Sequence, residues 1–363
     1  MYVCSFRRVK RMFIRRASSV SYGYLRLTVS DRIVSYFQKL NKKIVYIEDW
    51  KECKKYVEEI KNNVVGVEKI NCIGMDVEGY KIGKYGIVSI VQICAEDVYL
   101  FDVYKSNNSY LFMSYLRDLL ESEDIIKVTH DCREDCSILY NQYNIHLKKV
   151  FDTQIAHSLI LKKEKKDMYQ VSYDDLLNKC LFLNNSHKIY FHKIISLDEK
   201  VYLKRPISRE LINYAVQDVL YLKPLMRSLL DRLIGEEHSR EVDTVGYTNN
   251  LNDMDSREEQ RSNLIEYVMK QSEKYINYQF LNLHIKNEKQ LQRGMKLDGM
   301  VVSCSNLNMY VKLNLSKRGV IRNYLPGKYK IGDMVKCVIL DFSSNNYITL
   351  GLFDHSASEL TCR

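Results

Sequence analysis

Ile73-Gly74-Met75-Asp76-Val77-Glu78-Gly79 is the stretch whose reading decides the fold. Ile73, Met75 and Val77 alternate with Gly74, Asp76 and Glu78, the period-two pattern of a strand with one buried face. Asp76 and Glu78 therefore leave the same face, with Cα atoms roughly 6.5–7 Å apart. Carboxylates so placed repel each other unless cations neutralise them. A single Asp-x-Glu pair is also what an ordinary water-facing strand presents, so the pair gains meaning only from its surroundings.

Outward from this strand, periodicity predicts further strands over 43–47, 86–93, 98–103 and 125–129. Helices are predicted over 49–60, 110–120, 131–143, 153–161, 173–181 and 208–233. That alternation describes a mixed α/β sheet with helices on its faces. Within the last helix, Tyr214 and Asp218 are four residues apart and share a face. His130-Asp131-Cys132-Arg133-Glu134-Asp135 follows the 125–129 strand and opens a helix. Asp131 is placed as its N-cap, while Asp135, one turn on, has no capping role. Acidic clusters on three separate elements are what a pair of hard divalent cations requires.

These residues resemble a known superfamily. Ile73 to Gly79, followed by Ile90-Val-Gln-Ile93 and Tyr99-Leu-Phe-Asp102, is similar to the first motif of the DEDD exonucleases. Lys127 to Asp135, with Val150-Phe-Asp-Thr-Gln154 downstream, resembles the second. Arg205-Pro-Ile-Ser208 leading into Tyr214-Ala-Val-Gln-Asp218 resembles the third in its tyrosine-bearing form. The likeness is to RNase D, the exosome-associated nuclease and the animal 3′-to-5′ exonuclease-domain proteins, and it runs from about Lys43 to Leu233. It implies an RNase H-like sheet and two divalent cations, Mg²⁺ or Mn²⁺, held by Asp76, Glu78, Asp135 and Asp218. Tyr214 would orient or deprotonate the attacking water, and Gln92, His130 and Asp152 would support the ligands. Tyr202 stands where RNase D relatives usually carry Trp.

Past Leu291 the pattern changes to short alternating strands punctuated by Gly-Asp and Asn-rich turns, which predicts a small closed barrel. Its segments resemble the S-one-type RNA-binding repeat, an OB-type fold. Residues 291–352 carry nine basic and three acidic residues, against seven basic and none acidic in residues 1–30. Of the total charge of +10, only −2 belongs to residues 31–290. A basic barrel with aromatic side chains suits single-stranded nucleic acid. Tyr310 and Tyr324 are the candidates for stacking, and Lys312, Arg318, Arg322, Lys328 and Lys330 for phosphate.

A chain with 46% hydrophobic and 28% charged residues is neither fibrous nor wholly disordered. No run approaches the roughly 18 apolar residues of a membrane span. The 10 cysteines form no Cys-x-x-Cys pair, which argues against a zinc site, and with no secretory signal in view reduced thiols are expected. The acid-free, Arg-rich start reads either as a mitochondrial transit peptide or as a basic arm of a cytoplasmic or nuclear protein. The expected organisation is an arm or transit peptide over 1–42, an exonuclease domain over 43–235, a polar linker and helix over 236–290, and an OB-type barrel over 291–353. The expected activity is 3′-to-5′ hydrolysis of single-stranded RNA to nucleoside 5′-monophosphates. A DNA exonuclease and a catalytically silent RNA-binding adaptor are the alternatives.

Overall fold

The strand expected around Met75 runs from Cys72 to Tyr80, with residues 72–75 and Val77 buried and the carboxylate positions partly exposed. It belongs to a computed structural model that describes residues 12–16, 21–25, 42–64, 70–183, 188–235, 251–322, 324–343 and 347–353. The chain forms two units that interleave in sequence. One comprises Met1–Tyr80, Val88–His130 and Ser172–Asp231, and the other Lys81–Ile87, Asp131–Val171 and Arg232–Arg363.

The first unit is built on a mixed sheet of β1 (Met12–Arg16), β2 (Ser21–Leu25), β3 (Ile44–Ile47), β4 (Cys72–Tyr80), β5 (Ile87–Cys94), β6 (Val98–Asp102) and β7 (Ile126–Thr129). The strand order is β2-β1-β3-β6-β5-β4-β7. β4 runs parallel to β7 and β3 parallel to β6, while β5 is antiparallel to β6. β1 and β2 fall inside the stretch expected to be an arm or transit peptide. They pair with each other, and β1 runs parallel to β3, in keeping with the strand propensity of Phe13, Ile14, Tyr22 and Tyr24. Residues 1–11, 17–20 and 26–41, and the polar stretch 236–250, lie outside the described residues.

Helices α1 (Trp50–Asn63), α2 (Ser109–Leu120), α5 (Tyr173–Leu181), α6 (Lys188–Leu197), α7 (Arg209–Leu220) and α8 (Leu222–Ile234) accompany this sheet. Side-chain caps fix several starts: Asp49 accepts from the Lys51 amide, Ser172 from Asp175 and Ser208 from Leu211. The single helix expected over 208–233 is two. Tyr221 leaves helical geometry at φ −103°, ψ 2°, and Pro224 has no N–H to donate to the carbonyl of Leu220.

The second unit holds α3 (Arg133–Tyr143), β8 (Val150–Asp152), α4 (Thr153–Lys163), α9 (Leu251–Ile276) and a closed barrel. The barrel strands are β9 (Lys296–Cys304), β10 (Asn308–Lys312), β11 (Arg318–Arg322), β12 (Met334–Phe342) and β13 (Tyr347–Leu352), in the order β10-β11-β13-β12-β9. That closed order fits an OB-type barrel. Val301, Met309, Val311, Ile321, Ile339 and Ile348 fill its core. Gly319 is needed there, because a Cβ would lie 2.6 Å from Val311 Cγ2 and closer still to Leu350.

The cap expected at Asp131 is not made. Cys132 occupies the N-cap of α3 without a side-chain bond, and Asp131 adopts φ +56°. Asp152 serves the turn instead, accepting from the backbone N–H of Asp131 (3.1 Å) and Cys132 (2.8 Å) while capping α4 through Gln154 (2.8 Å). Among the described residues all cysteines are free, and no helix is long and apolar enough to cross a membrane.

Candidate active site

In the first unit β4 supplies Asp76 and Glu78, and α7 supplies Tyr214 and Asp218. Gly74 lets the two elements meet. A Cβ on this residue would sit 2.7 Å from the carbonyl oxygen of Val219 and 3.2 Å from Leu222 Cβ, so only glycine permits this approach. The result is that ligand oxygens of Asp76, Glu78 and Asp218 all lie within 4.8 Å of one another.

Burial and proximity act on these groups together. Desolvation raises the pKa of Asp76 above the usual carboxylate range, and desolvation with the neighbouring charge of Asp76 does the same to Glu78. Against that trend, the Tyr202 hydroxyl donates to Glu78 Oε1 at 2.9 Å. Tyr214 is buried against Phe191, with ring centroids 4.7 Å apart. Its phenol is driven well above its ordinary pKa, first by burial and then by the charges of Asp218 and Glu78. A phenol so placed keeps its proton and can donate a hydrogen bond.

Tyr202 is held as firmly as the ligands. Its carbonyl accepts from Arg205 Nη1 at 2.6 Å and from the Ser89 hydroxyl. Arg205 also binds the fully buried Asp102, with Nε at 2.6 Å from Oδ2, and Tyr46 donates to the same carboxylate. The end of the first sequence motif, Asp102, is thus tied to the start of the third, Arg205. Two residues outside the predicted set belong to this neighbourhood. One is Tyr202. The other is Tyr173, whose buried hydroxyl has no hydrogen-bond partner and feels the charges of Asp218 and Asp76. The Tyr202 position was visible in sequence only as a departure from Trp, and Tyr173 carried no signal.

Of the predicted supporting residues, His130 packs its ring 5.4 Å from that of Tyr173. Gln92 is fully buried on β5, with both side-chain polar atoms lacking partners. Buried polar atoms without protein partners and like-signed carboxylates are groups that cations and ordered water would satisfy. The donor set of carboxylate oxygens fits hard divalent cations.

The 3′-5′ exonuclease family model matches residues 44–234, just over half of the chain. The chain belongs to the 3′-5′ exonuclease family. Among the family's members it is 29% identical over 180 residues to the human piRNA biogenesis protein EXD1, a match covering 48% of this chain and 35% of that protein. It is 31% identical over 116 residues to ribonuclease D of Granulibacter bethesdensis, covering 32% of this chain and 26% of that protein. The chain thus spans about a third or less of the length of these two relatives. The solved Trypanosoma brucei RNase D in complex with GMP has 18% identity and a TM-score of 0.49, covering 66% of this chain and 64% of that one.

The chain's remaining predicted residues lie in the second unit. Asp135 is buried on α3. On the barrel, Tyr310 and Arg322 line a cleft of about 440 Å³ with Tyr347, Leu307, Asn308, Val320 and Ser343. Tyr310 and Tyr347 meet edge to face at 5.9 Å, and Arg318 pairs with Tyr347 across the β11–β13 ladder. Arg318, Lys328 and Lys330 are exposed. The structure corrects the barrel set at two positions. Tyr324 is a core residue whose hydroxyl donates to the Ser305 carbonyl at 2.5 Å, so its ring has no free face for a base. Lys312 is drawn into ion pairs with Glu134 at 3.0 Å and Asp131 at 3.8 Å, which engage its charge within the protein.

Proposed function

We propose that this chain is a divalent-cation-dependent 3′-5′ exonuclease that shortens single-stranded RNA from its 3′ end and releases nucleoside 5′-monophosphates. The observation that carries this reading is the convergence of Asp76, Glu78 and Asp218 oxygens beside the buried phenol of Tyr214. Asp135 joins them as a fourth ligand on the strength of its sequence motif. Two bound cations, Mg²⁺ or Mn²⁺, would supply electrophilic stabilisation of the phosphate and of the departing 3′ oxygen.

The chain's own residues set up that chemistry. Asp76, Glu78 and Asp218 gather negative charge on two elements locked together at Gly74. Tyr202 holds one oxygen of Glu78 and leaves the other to a ligand. Tyr214 orients the attacking water by donating to it, since a phenol that keeps its proton has no phenolate oxygen with which to take one from water. Preference for RNA rests on the basic barrel, whose Tyr310–Tyr347 cleft offers a stacking surface beside Arg322 and Arg318. The names of the relatives, ribonuclease D and a piRNA biogenesis protein, point the same way.

The test uses 3′-labelled and 5′-labelled RNA and DNA oligonucleotides with Mn²⁺ or Mg²⁺, comparing wild type with Asp76→Ala. Cation-dependent shortening from the 3′ end by wild type alone is expected. No shortening by wild type removes the enzymatic reading and leaves an RNA-binding adaptor. Equal shortening of DNA removes the RNA preference.

A further inference from the structure

Helix α3 carries Asp135, and its first turns are gripped by residues far along the chain. Arg133 is fully buried. Its Nη2 lies 2.7 Å from Asp131 Oδ2, its guanidinium is 4.4 Å above the Tyr275 ring of α9, and its Nη1 is 3.8 Å from Met300 Sδ of β9. Next to it, Glu134 accepts from the Tyr278 hydroxyl at 3.1 Å and pairs with Lys312 of β10 at 3.0 Å. The buried Ser137 donates to Asn314 Oδ1.

Asn314 is the hub. It follows β10 in the left-handed region, φ +53°, which Asn tolerates better than most residues. Its N–H donates to the Tyr278 hydroxyl at 2.8 Å, and its amide donates to the carbonyls of Gln279 (3.0 Å) and Leu281 (3.1 Å). Every polar group of this side chain is engaged inside the protein, the condition under which a buried polar network specifies one arrangement. At 100° per residue, Arg133 and Ser137 lie about 160° around the helix from Asp135. The network therefore holds the back of α3 and sets the rotation of the face that bears Asp135.

We propose that the C-terminal barrel, with the turn around Tyr278 that precedes it, braces α3, Asn314, Tyr278 and Lys312 acting as positioning residues for Asp135. This goes beyond an RNA-holding role and rests on the functional reading above, in which Asp135 is a cation ligand. A barrel that only holds RNA matters for long substrates. A barrel that braces a ligand-bearing helix matters for every substrate, down to a dinucleotide.

The experiment measures Mn²⁺ binding by isothermal titration calorimetry, without substrate, together with kcat and the Mn²⁺ activation midpoint of the full-length protein on a dinucleotide and on a long single-stranded RNA. Wild type, Asp135→Ala, Asn314→Ala and Tyr278→Phe are compared, each checked for a cooperative melt. Asn314→Ala and Tyr278→Phe are expected to lower kcat on the dinucleotide about tenfold or more and to raise the Mn²⁺ midpoint. Folded variants that keep wild-type kcat and midpoint on the dinucleotide, losing only long-RNA binding, overturn the brace. If Asn314→Ala does not fold, Tyr278→Phe decides, because it removes one hydroxyl and keeps the ring. A wild type inactive on both substrates, or an Asp135→Ala protein with wild-type rates, overturns the functional reading and the brace with it.

Discussion

Asp76, Glu78 and Asp218 in the first unit share one sign, and their oxygens crowd within 4.8 Å. Around α3 in the second unit, Arg133 and Lys312 alternate with Asp131 and Glu134, and the charges cancel. Both clusters are partly exposed, yet only the second pairs its charges internally. A buried charge left unbalanced costs far more than a paired one. On the functional reading proposed above, the first cluster is completed by cations, whereas the neutral α3 network serves the fold and, through it, the position of Asp135. Substitutions should therefore separate the two clusters: activity without stability in one, stability first in the other.

The sharpest separation is Asp218→Asn. Removing one negative ligand from the first cluster is expected to lower kcat by about a thousandfold or more, on the scale of lost electrostatic stabilisation. Because it also relieves repulsion, the melting temperature of the cation-free protein should hold or rise. Single-turnover cleavage and calorimetry on the same preparations check both halves, and a large loss of stability would erase the contrast.

The mirror experiment is Asp131→Ala. It strands the buried Arg133 guanidinium without its bidentate partner and is expected to destabilise by about 3–5 kcal/mol. Replacing Arg133 and Asp131 together by apolar residues should restore much of that loss, since it removes the uncompensated charge. Urea melts of the single and double variants measure it.

The pH response has opposite signs with and without cations. Asp76 and Glu78 have raised folded-state pKa values, caused first by burial. The folded protein therefore binds more protons than the unfolded chain above the ordinary carboxylate range of about 4. Their contribution to stability is fully present below that range and is lost as pH rises through the folded-state values. The cation-free protein is expected to melt lower at pH 8 than at pH 5, and the stabilisation gained from Mn²⁺ should grow over the same interval. A melting temperature with Mn²⁺ that tracks the cation-free curve would break this account.

How much of this was legible in sequence follows from the range of the interactions. Period-two and helical patterns located β4, β5, α1, α2 and α5, and Tyr214 with Asp218 stood out because a helix turn is local. The resemblance brought in Asp135. What escaped were contacts across long sequence separations. Nothing near Asn314 or Lys312 announces a partner in Ser137 or Glu134, so Lys312 read as a phosphate ligand and the barrel as an appendage. Nothing near Tyr324 distinguishes a core tyrosine from a stacking one. Asp131 looked like an N-cap because residue type and position fitted, but the neighbouring Arg133 competes for the same carboxylate and wins by being fully buried.

Tyr310→Ala probes a surface outside both clusters. Loss of one stacking ring is expected to weaken long-RNA affinity by about 1–3 kcal/mol. Arg322→Ala should lower the salt slope of binding by about one charge. Neither change should move the melting temperature by more than a small amount, since Arg322 is exposed and Tyr310 lies outside the barrel core. Fluorescence anisotropy across a salt series distinguishes the two effects.

The smallest expected effect falls on the hydroxyl that ties the first cluster to its surroundings. Tyr202→Phe removes the donor to Glu78 Oε1 and leaves the ring, whose place is fixed by backbone contacts from Arg205 and Ser89. With that hydrogen bond gone, Glu78 loses an interaction that favours its charged form. Cation affinity should fall by about 1 kcal/mol, near fivefold, the scale of one hydrogen bond. Because a saturating cation restores the ligand's charge and orientation, kcat at high Mn²⁺ should return towards wild type while the activation midpoint stays raised. A variant whose kcat remains low at saturating Mn²⁺ would place Tyr202 on the reacting atoms, and one with an unchanged midpoint would make its hydroxyl a packing detail. Only the intermediate outcome is consistent with a residue that lends the like-charged cluster part of the compensation the α3 network already has.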